Sequence, residues 1–193
     1  VYYGGIFKGT VDFDPSANVS NLTANNNFLD IYFCKSDSAG NFIWAKQISI
    51  YTNSQFGNNT YLNSINIKVD GNGNIYAAGQ FVDTLDIDPG AAVNYLLPSS
   101  GGNFYIAKFD PNGNLIWAKQ TSSNNNLNLH DFELDNDGDL YTVGSFNDTV
   151  DFDLGPGLFQ LNSLSSLYEG FVCKYTIDGI LMNAENFPTS FFS

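Results

Sequence analysis

Along this chain, large apolar residues alternate with small or polar ones in short stretches. Glycine-bearing turns separate the stretches, and the whole set returns in the same order. "YYGGIF" (Tyr2–Phe7) comes back as "YAAGQF" (Tyr76–Phe81) and "YTVGSF" (Tyr141–Phe146). "DIYFCKSDSAGNFIWAKQ" (Asp30–Gln47) comes back as "NFYIAKFDPNGNLIWAKQ" (Asn103–Gln120) and, more worn, as "EGFVCKYTIDGILMNAEN" (Glu169–Asn186). "INIKVDGNGNIY" (Ile65–Tyr76) matches "HDFELDNDGDLY" (His130–Tyr141). The two-residue alternation, with its β-branched and aromatic residues, predicts strands. No window carries a helical period. "DSAGN", "DGNGN", "DPNGN" and "DNDGD" each set Gly where φ can be positive, which predicts tight antiparallel hairpins.

The repeat is therefore a unit of four strands. A is "INIKVD" or "DFELD", B the "YxxGxF" stretch, C "FYIAKF" and its kin, and D "LIWAKQ" and its kin. Residues 1–63 hold a partial unit (B, C and D), 64–128 a full one, and 129–193 a full but degenerate one. Tyr2, Tyr76 and Tyr141 set a spacing of roughly 65 to 74 residues, which suits one blade of a β-propeller plus a long loop. The expected fold is all-β and propeller-like, built of four-stranded antiparallel blades that bury their aromatic faces in one another. About two full blades and a partial one make it a piece of a larger propeller or an open stack. In the last unit Asn183 stands where the others have Trp44 and Trp117, and Glu185 where they have Lys46 and Lys119. Such drift is expected of a boundary repeat.

"GNGNIYAAGQF", the "TVDFDP" run and "FYIAKFDPNGNLIWAKQ", with their copies, resemble the bacterial seven-bladed β-propeller (SBBP) repeat over nearly the whole chain. The resemblance implies blades around an axis in secreted or surface proteins, often of Bacteroidota. It implies no shared catalytic activity.

Charge narrows the partners. The net charge is −13, and all seven cations are Lys. Binding to a nucleic-acid backbone or an anionic bilayer needs clustered cations, so neither is expected. No apolar run of about 18 residues exists to span a membrane. The acidic, Asn-, Tyr- and Phe-rich composition points to an extracellular protein.

The candidate chemistry lies in a motif that occurs three times: "GTVDFDP", "DTLDIDP" and "DTVDFDL". Its carboxylate pairs are Asp12/Asp14, Asp86/Asp88 and Asp151/Asp153. On an extended segment, residues two apart share a side. Strand C of each unit carries one lysine, Lys35, Lys108 or Lys174. The leading expectation is an intrablade ion network that fastens each Asp pair to the strand-C lysine. The same six carboxylates are candidate calcium ligands, and an acid/base pair is the weakest reading. "DNDGD" has Gly at its fourth position instead of an EF-hand's sixth and runs into a strand, so it reads as a turn.

Cys34 and Cys173 occupy one repeat position two units apart, beyond the roughly 7 Å a disulfide allows, and are expected as buried free thiols. His130 aligns with Ile65 and reads as a packing position. With one His and two separated Cys, neither a zinc site nor a nucleophile–base machine has its parts. Trp44 and Trp117 are read as interblade packing and less favourably as sugar platforms. Dissimilar polar loops (Ser16–Leu29, Ser49–Asn63, Gly90–Gly102, Thr121–Leu127 and Gly155–Leu167) are the candidate contact surfaces. The functional expectation is a non-catalytic extracellular or cell-surface scaffold or adhesion module. Its partners would be other blades of a parent chain, or a protein or glycan. The alternatives are a glycan-active propeller hydrolase and a calcium-stabilised carbohydrate-binding module.

Overall fold

The computed structural model describes residues 1–25, 29–51, 65–99, 103–123, 127–163 and 168–187. Among them the chain forms strands and turns and no α-helix. The first unit comprises β1 (Tyr2–Lys8), β2 (Thr10–Asp12), β3 (Asn21–Thr23), β4 (Leu29–Ser36) and β5 (Phe42–Tyr51). The second comprises β6 (Asn66–Val69), β7 (Ile75–Phe81), β8 (Thr84–Asp86), β9 (Tyr95–Leu96), β10 (Asn103–Phe109) and β11 (Leu115–Gln120). After β12 (Ser122–Ser123) come β13 (Leu127–Leu134), β14 (Leu140–Phe146), β15 (Thr149–Asp151), β16 (Gln160–Asn162), β17 (Glu169–Tyr175) and β18 (Leu181–Phe187).

Strands A to D lie side by side and antiparallel in the order read from the sequence. The second sheet runs β11-β10-β7-β6 and the last β13-β14-β17-β18. Several antiparallel sheets result, and none of them closes on itself. The five-residue turns explain the short hairpins. Asp37, Asp70 and Asp110 each accept backbone N–H bonds from residues i+2 and i+4 at 2.8–2.9 Å. In each of these turns the Asn at i+4 also donates its side-chain amide to the second Asp oxygen at 2.8 Å. Gly40, Gly73 and Gly113 take φ of 77–87°, a region that costs a residue with a Cβ extra energy.

Pleating sends alternate residues of β7 and β10 to opposite faces, and each face meets a different neighbour. Ile75, Ala77, Phe81, Tyr105, Ala107 and Phe109 join Ile31, Phe33, Ile48 and Ile50 of the first unit in one core. Tyr76, Ala78, Phe104 and Ile106 join Phe132, Phe146, Phe152 and Phe171 of the third in another. Apolar burial thus lies between consecutive sheets, with Phe33 against Phe109 (4.9 Å) and Phe104 stacked on Phe171 (6.2 Å).

Two features depart from the expectation. The B-to-C connections are not plain loops: each folds back as a small hairpin, β2–β3, β8–β9 or β15–β16. The D strand also overruns its own sheet. The end of β5 pairs with β8 of the next unit (Ser49↔Asp86, Ile50↔Leu85, Tyr51↔Thr84). β12, following β11, pairs likewise with β15 (Ser122↔Asp151, Ser123↔Val150). Strand A of the third unit, β13, bulges between Leu129 and Asp131. Of the expected contact loops, residues 26–28, 52–63, 100–102, 124–126 and 164–167 lie outside the described residues.

Candidate functional site

The Asp pairs sit in the small hairpins, and all three do the same thing. The first carboxylate spans the hairpin loop. Asp12 accepts the N–H of Asp14 (3.1 Å) and of Ser20 (2.8 Å). Asp86 accepts those of Asp88 (3.4 Å) and Asn94 (2.9 Å). Asp151 accepts those of Asp153 (3.0 Å) and Phe159 (2.9 Å). The second carboxylate turns the chain by accepting the N–H two residues on: Ser16 to Asp14 at 2.9 Å, Gly90 to Asp88 at 2.8 Å and Gly155 to Asp153 at 2.6 Å. The Ser16 bonds hold Asp14 below the usual carboxylate range. Ile87 and Phe152, between the paired aspartates, are fully buried as the alternation requires.

The strand-C lysines point elsewhere. Among the described residues, the ion pairs are Lys68–Glu133, Lys174–Asp135 and Lys174–Asp139. None joins Lys35, Lys108 or Lys174 to Asp12, Asp14, Asp86, Asp88, Asp151 or Asp153. The register explains this. Tyr2↔Lys35, Tyr76↔Lys108 and Tyr141↔Lys174 are cross-strand neighbours, so each ammonium lies 5.1–5.2 Å from a strand-B ring centroid. Beyond that ring lies the A–B turn. Lys174 reaches Asp139 at 2.9 Å and Asp135 at 3.7 Å, where Asp139 stands in place of the usual Asn. Bonds with Tyr141 and Asp139 raise its pKa. Lys35 instead donates to the Pro111 carbonyl of the next unit at 3.0 Å.

The turn aspartates are held below the usual carboxylate range. At Asp37 the bond from the Asn41 side chain leads. At Asp70, Asp110 and Asp135 burial pushes upward and is outweighed by the turn's hydrogen bonds, aided by Lys108, Lys46 and Lys174 respectively.

Strand D grips the C–D turn of the following unit. A Cβ at Gly113 would stand 3.1 Å from Trp44, and one at Gly179 would stand 3.0 Å from Trp117. Lys119 donates to the carbonyls of Asp178 (2.8 Å) and Gly179 (2.9 Å). In the last unit Asn183 instead donates to Glu185 of its own strand, at 2.9 Å.

One set of anchors escaped the sequence reading. A polar residue at the start of strand C is buried in every unit: Asp30, Asn103 and Glu169. Asp30 accepts the N–H of Ile50 (2.8 Å) and Asn25 (2.9 Å) and an amide hydrogen of Gln47 (2.6 Å). Asn103 donates to Thr121 and accepts from Ser99, and Glu169 accepts from Asn186. Burial raises the Asp30 pKa. The available signal was a polar residue at one repeat position beside apolar strand.

Hollows open on the surface between the described residues. A cleft of about 550 Å³ lies between the A–B turns of the second and third units, lined by Asp70, Glu133, Asp135, Asp137 and Lys68 among others. A smaller one, about 370 Å³, adjoins Asp14, Ser16, Asn18 and Asn41. Among the described residues no three His, Cys, Asp or Glu side chains gather as a metal site. In each Asp pair one oxygen of either carboxylate takes backbone amides.

Cys34 and Cys173 are buried free thiols, and burial pushes both to about 12. His130 is not packed inside. It sits exposed at the β13 bulge, its Nε2 3.3 Å from the Ser145 hydroxyl, because the bulge turns its side chain out of the pleat. Among the described residues no helix is long and apolar enough to cross a membrane. No family model matches the chain, and no curated protein is significantly similar to it.

Proposed function

We propose that this chain is a non-catalytic scaffold of propeller-like blades that works outside the cell and presents its B–C hairpins and D–A loops to a protein or glycan partner. The observation that carries the reading is the sameness of the repeated carboxylates. Three Asp pairs perform one backbone task in three units, whereas a catalytic centre draws unlike residues together at one place. Further support comes from the A-to-D strand order and from cores shared between consecutive sheets. The buried thiols, with pKa near 12, are poor nucleophiles at neutral pH. A net charge of −13 suits a partner that is neutral or cationic.

The test is a glycan array and a pull-down against surface extracts, run beside a panel of glycosidase and esterase substrates. The expected result is saturable binding that is lost on exchanging the Gly90–Asn94 loop residues for Gly/Ser. Turnover of any substrate, abolished by Asp86→Asn, would replace this reading with the hydrolase one.

A further inference from the structure

We infer that the outer edge of β2, at Thr10–Asp12, is an acceptor for one added strand, and that its occupant is the D-strand tail of another unit of this same repeat. The chain contains two worked examples of the contact. The tail of β5 lies along β8, and β12 lies along β15, both antiparallel. β2 is the equivalent strand of the first unit. It pairs with β3 on one edge and with nothing on the other among the described residues.

Burial at the site bears the mark of the missing neighbour. Leu85 and Val150 are 0% exposed beneath their tails, while Val11 is only half-buried. Asp86 is 8% exposed, while Asp12 lies open to solvent. The hydrogen-bond phase is also right. Phe13 N–H donates to Ser20 and Ala24 N–H to Gly9, so the odd-numbered residues face β3. The N–H and C=O of Thr10 and Asp12 therefore face outward, as those of Thr84 and Asp86 do toward Tyr51 and Ser49.

A strand edge of this kind is completed by strand addition, in which main-chain bonds supply affinity and one apolar side chain supplies register. The occupant places an apolar or small residue opposite Val11, as Ile50 stands opposite Leu85 and Ser123 opposite Val150. The two described tails are already bound within the chain, so the donor is a D-strand tail other than these.

The test uses the chain as it is and a peptide of its own sequence, residues Ala45–Tyr51. The peptide is expected to bind with Kd on the order of 1 mM or tighter. It should slow amide exchange at Thr10 and Asp12 and leave Val11 unchanged. The same peptide N-methylated at the residues corresponding to Ser49 and Tyr51 should bind at least about tenfold more weakly, since it loses the outward bonds. Three results would overturn the inference: no protection at several-millimolar peptide, equal binding by the N-methylated form, or protection mapping to another edge. Protection of Thr10 and Asp12 without peptide, rising with chain concentration, would overturn the choice of occupant in favour of a second copy.

Discussion

Replacing Asp86 tests whether the repeated carboxylates are backbone clamps or ion ligands. Its side chain is almost wholly buried, 8% exposed, and accepts the Asn94 N–H at 2.9 Å and the Asp88 N–H at 3.4 Å. Hydrogen bonds to a charged acceptor contribute about 1.5–3 kcal/mol each, and the longer contact lies at the margin of bonding geometry. Asp86→Ala therefore costs about 2–3 kcal/mol, which lowers the melting temperature of a chain this size by about 4–12 °C. Asp86→Asn keeps an oxygen facing both amides and costs under about 1 kcal/mol. Asp12→Ala removes the same two bonds at an exposed site, where water takes over the amides, and so costs less than Asp86→Ala.

Urea denaturation of the three variants at pH 7, with and without a chelator, gives the comparison. Asn and Ala substitutions at Asp86 that were equally destabilising would mean that charge matters and not acceptor geometry. A loss of parent stability on chelation would point the same way, to a bound cation, and the clamp reading would be abandoned.

Phe171 stacks on Phe104 across the sheets and touches Phe152 at 4.8 Å, so Phe171→Ala costs about 3–5 kcal/mol in denaturant unfolding; a value under about 1 would mean that the two sheets do not share a core. Lys174→Met leaves Asp135 and Asp139 facing each other and lowers stability at pH 7; adding Asp139→Asn should recover most of the loss, and failure to recover would place the role of the lysine elsewhere. The turn aspartates Asp37, Asp70, Asp110 and Asp135 have folded pKa values below their unfolded ones, so their stabilisation is present above about pH 4 and is lost as pH falls through the depressed values. Asp30 is raised and has the opposite sign: its contribution is full below about pH 4 and is lost as pH rises through its folded value, so the stability of Asp30→Asn relative to the parent should grow from pH 4 to 7 in urea titrations. Both thiols should resist a thiol reagent at pH 8 in the native chain and react in denaturant; two fast native equivalents would contradict their burial.

The A-to-D strand order, the five-residue turns and the free thiols could all be read from the residues. Each depends on neighbours a few positions away or on the repeat itself. Period-two alternation marks a strand wherever one face is buried. Asp, Gly and Asn at fixed offsets close a turn with their own side chains. Cys34 and Cys173 fall at one repeat position, and that alone keeps them apart.

The partners of the charged side chains were not legible in this way. Asp12 and Lys35 recur together in sequence, as do their counterparts, yet each bonds elsewhere. Pleat and register decide which face a side chain takes: Lys35, Lys108 and Lys174 each lie over a strand-B tyrosine, and Lys174 reaches the A–B turn beyond it while Lys35 reaches Pro111 of the next unit. His130 looked apolar by alignment and was turned outward by one bulged residue.

By itself the sequence determined the repeated antiparallel sheets and their turns, because those signals are local and recur. Only the tertiary structure decided that the first two D strands run on into the next unit's hairpin, that Trp44 and Trp117 close over a neighbour's glycine, and that Asp86 clamps a loop. Those contacts join residues of different units, and stacking sets their geometry, which no stretch of either unit encodes alone.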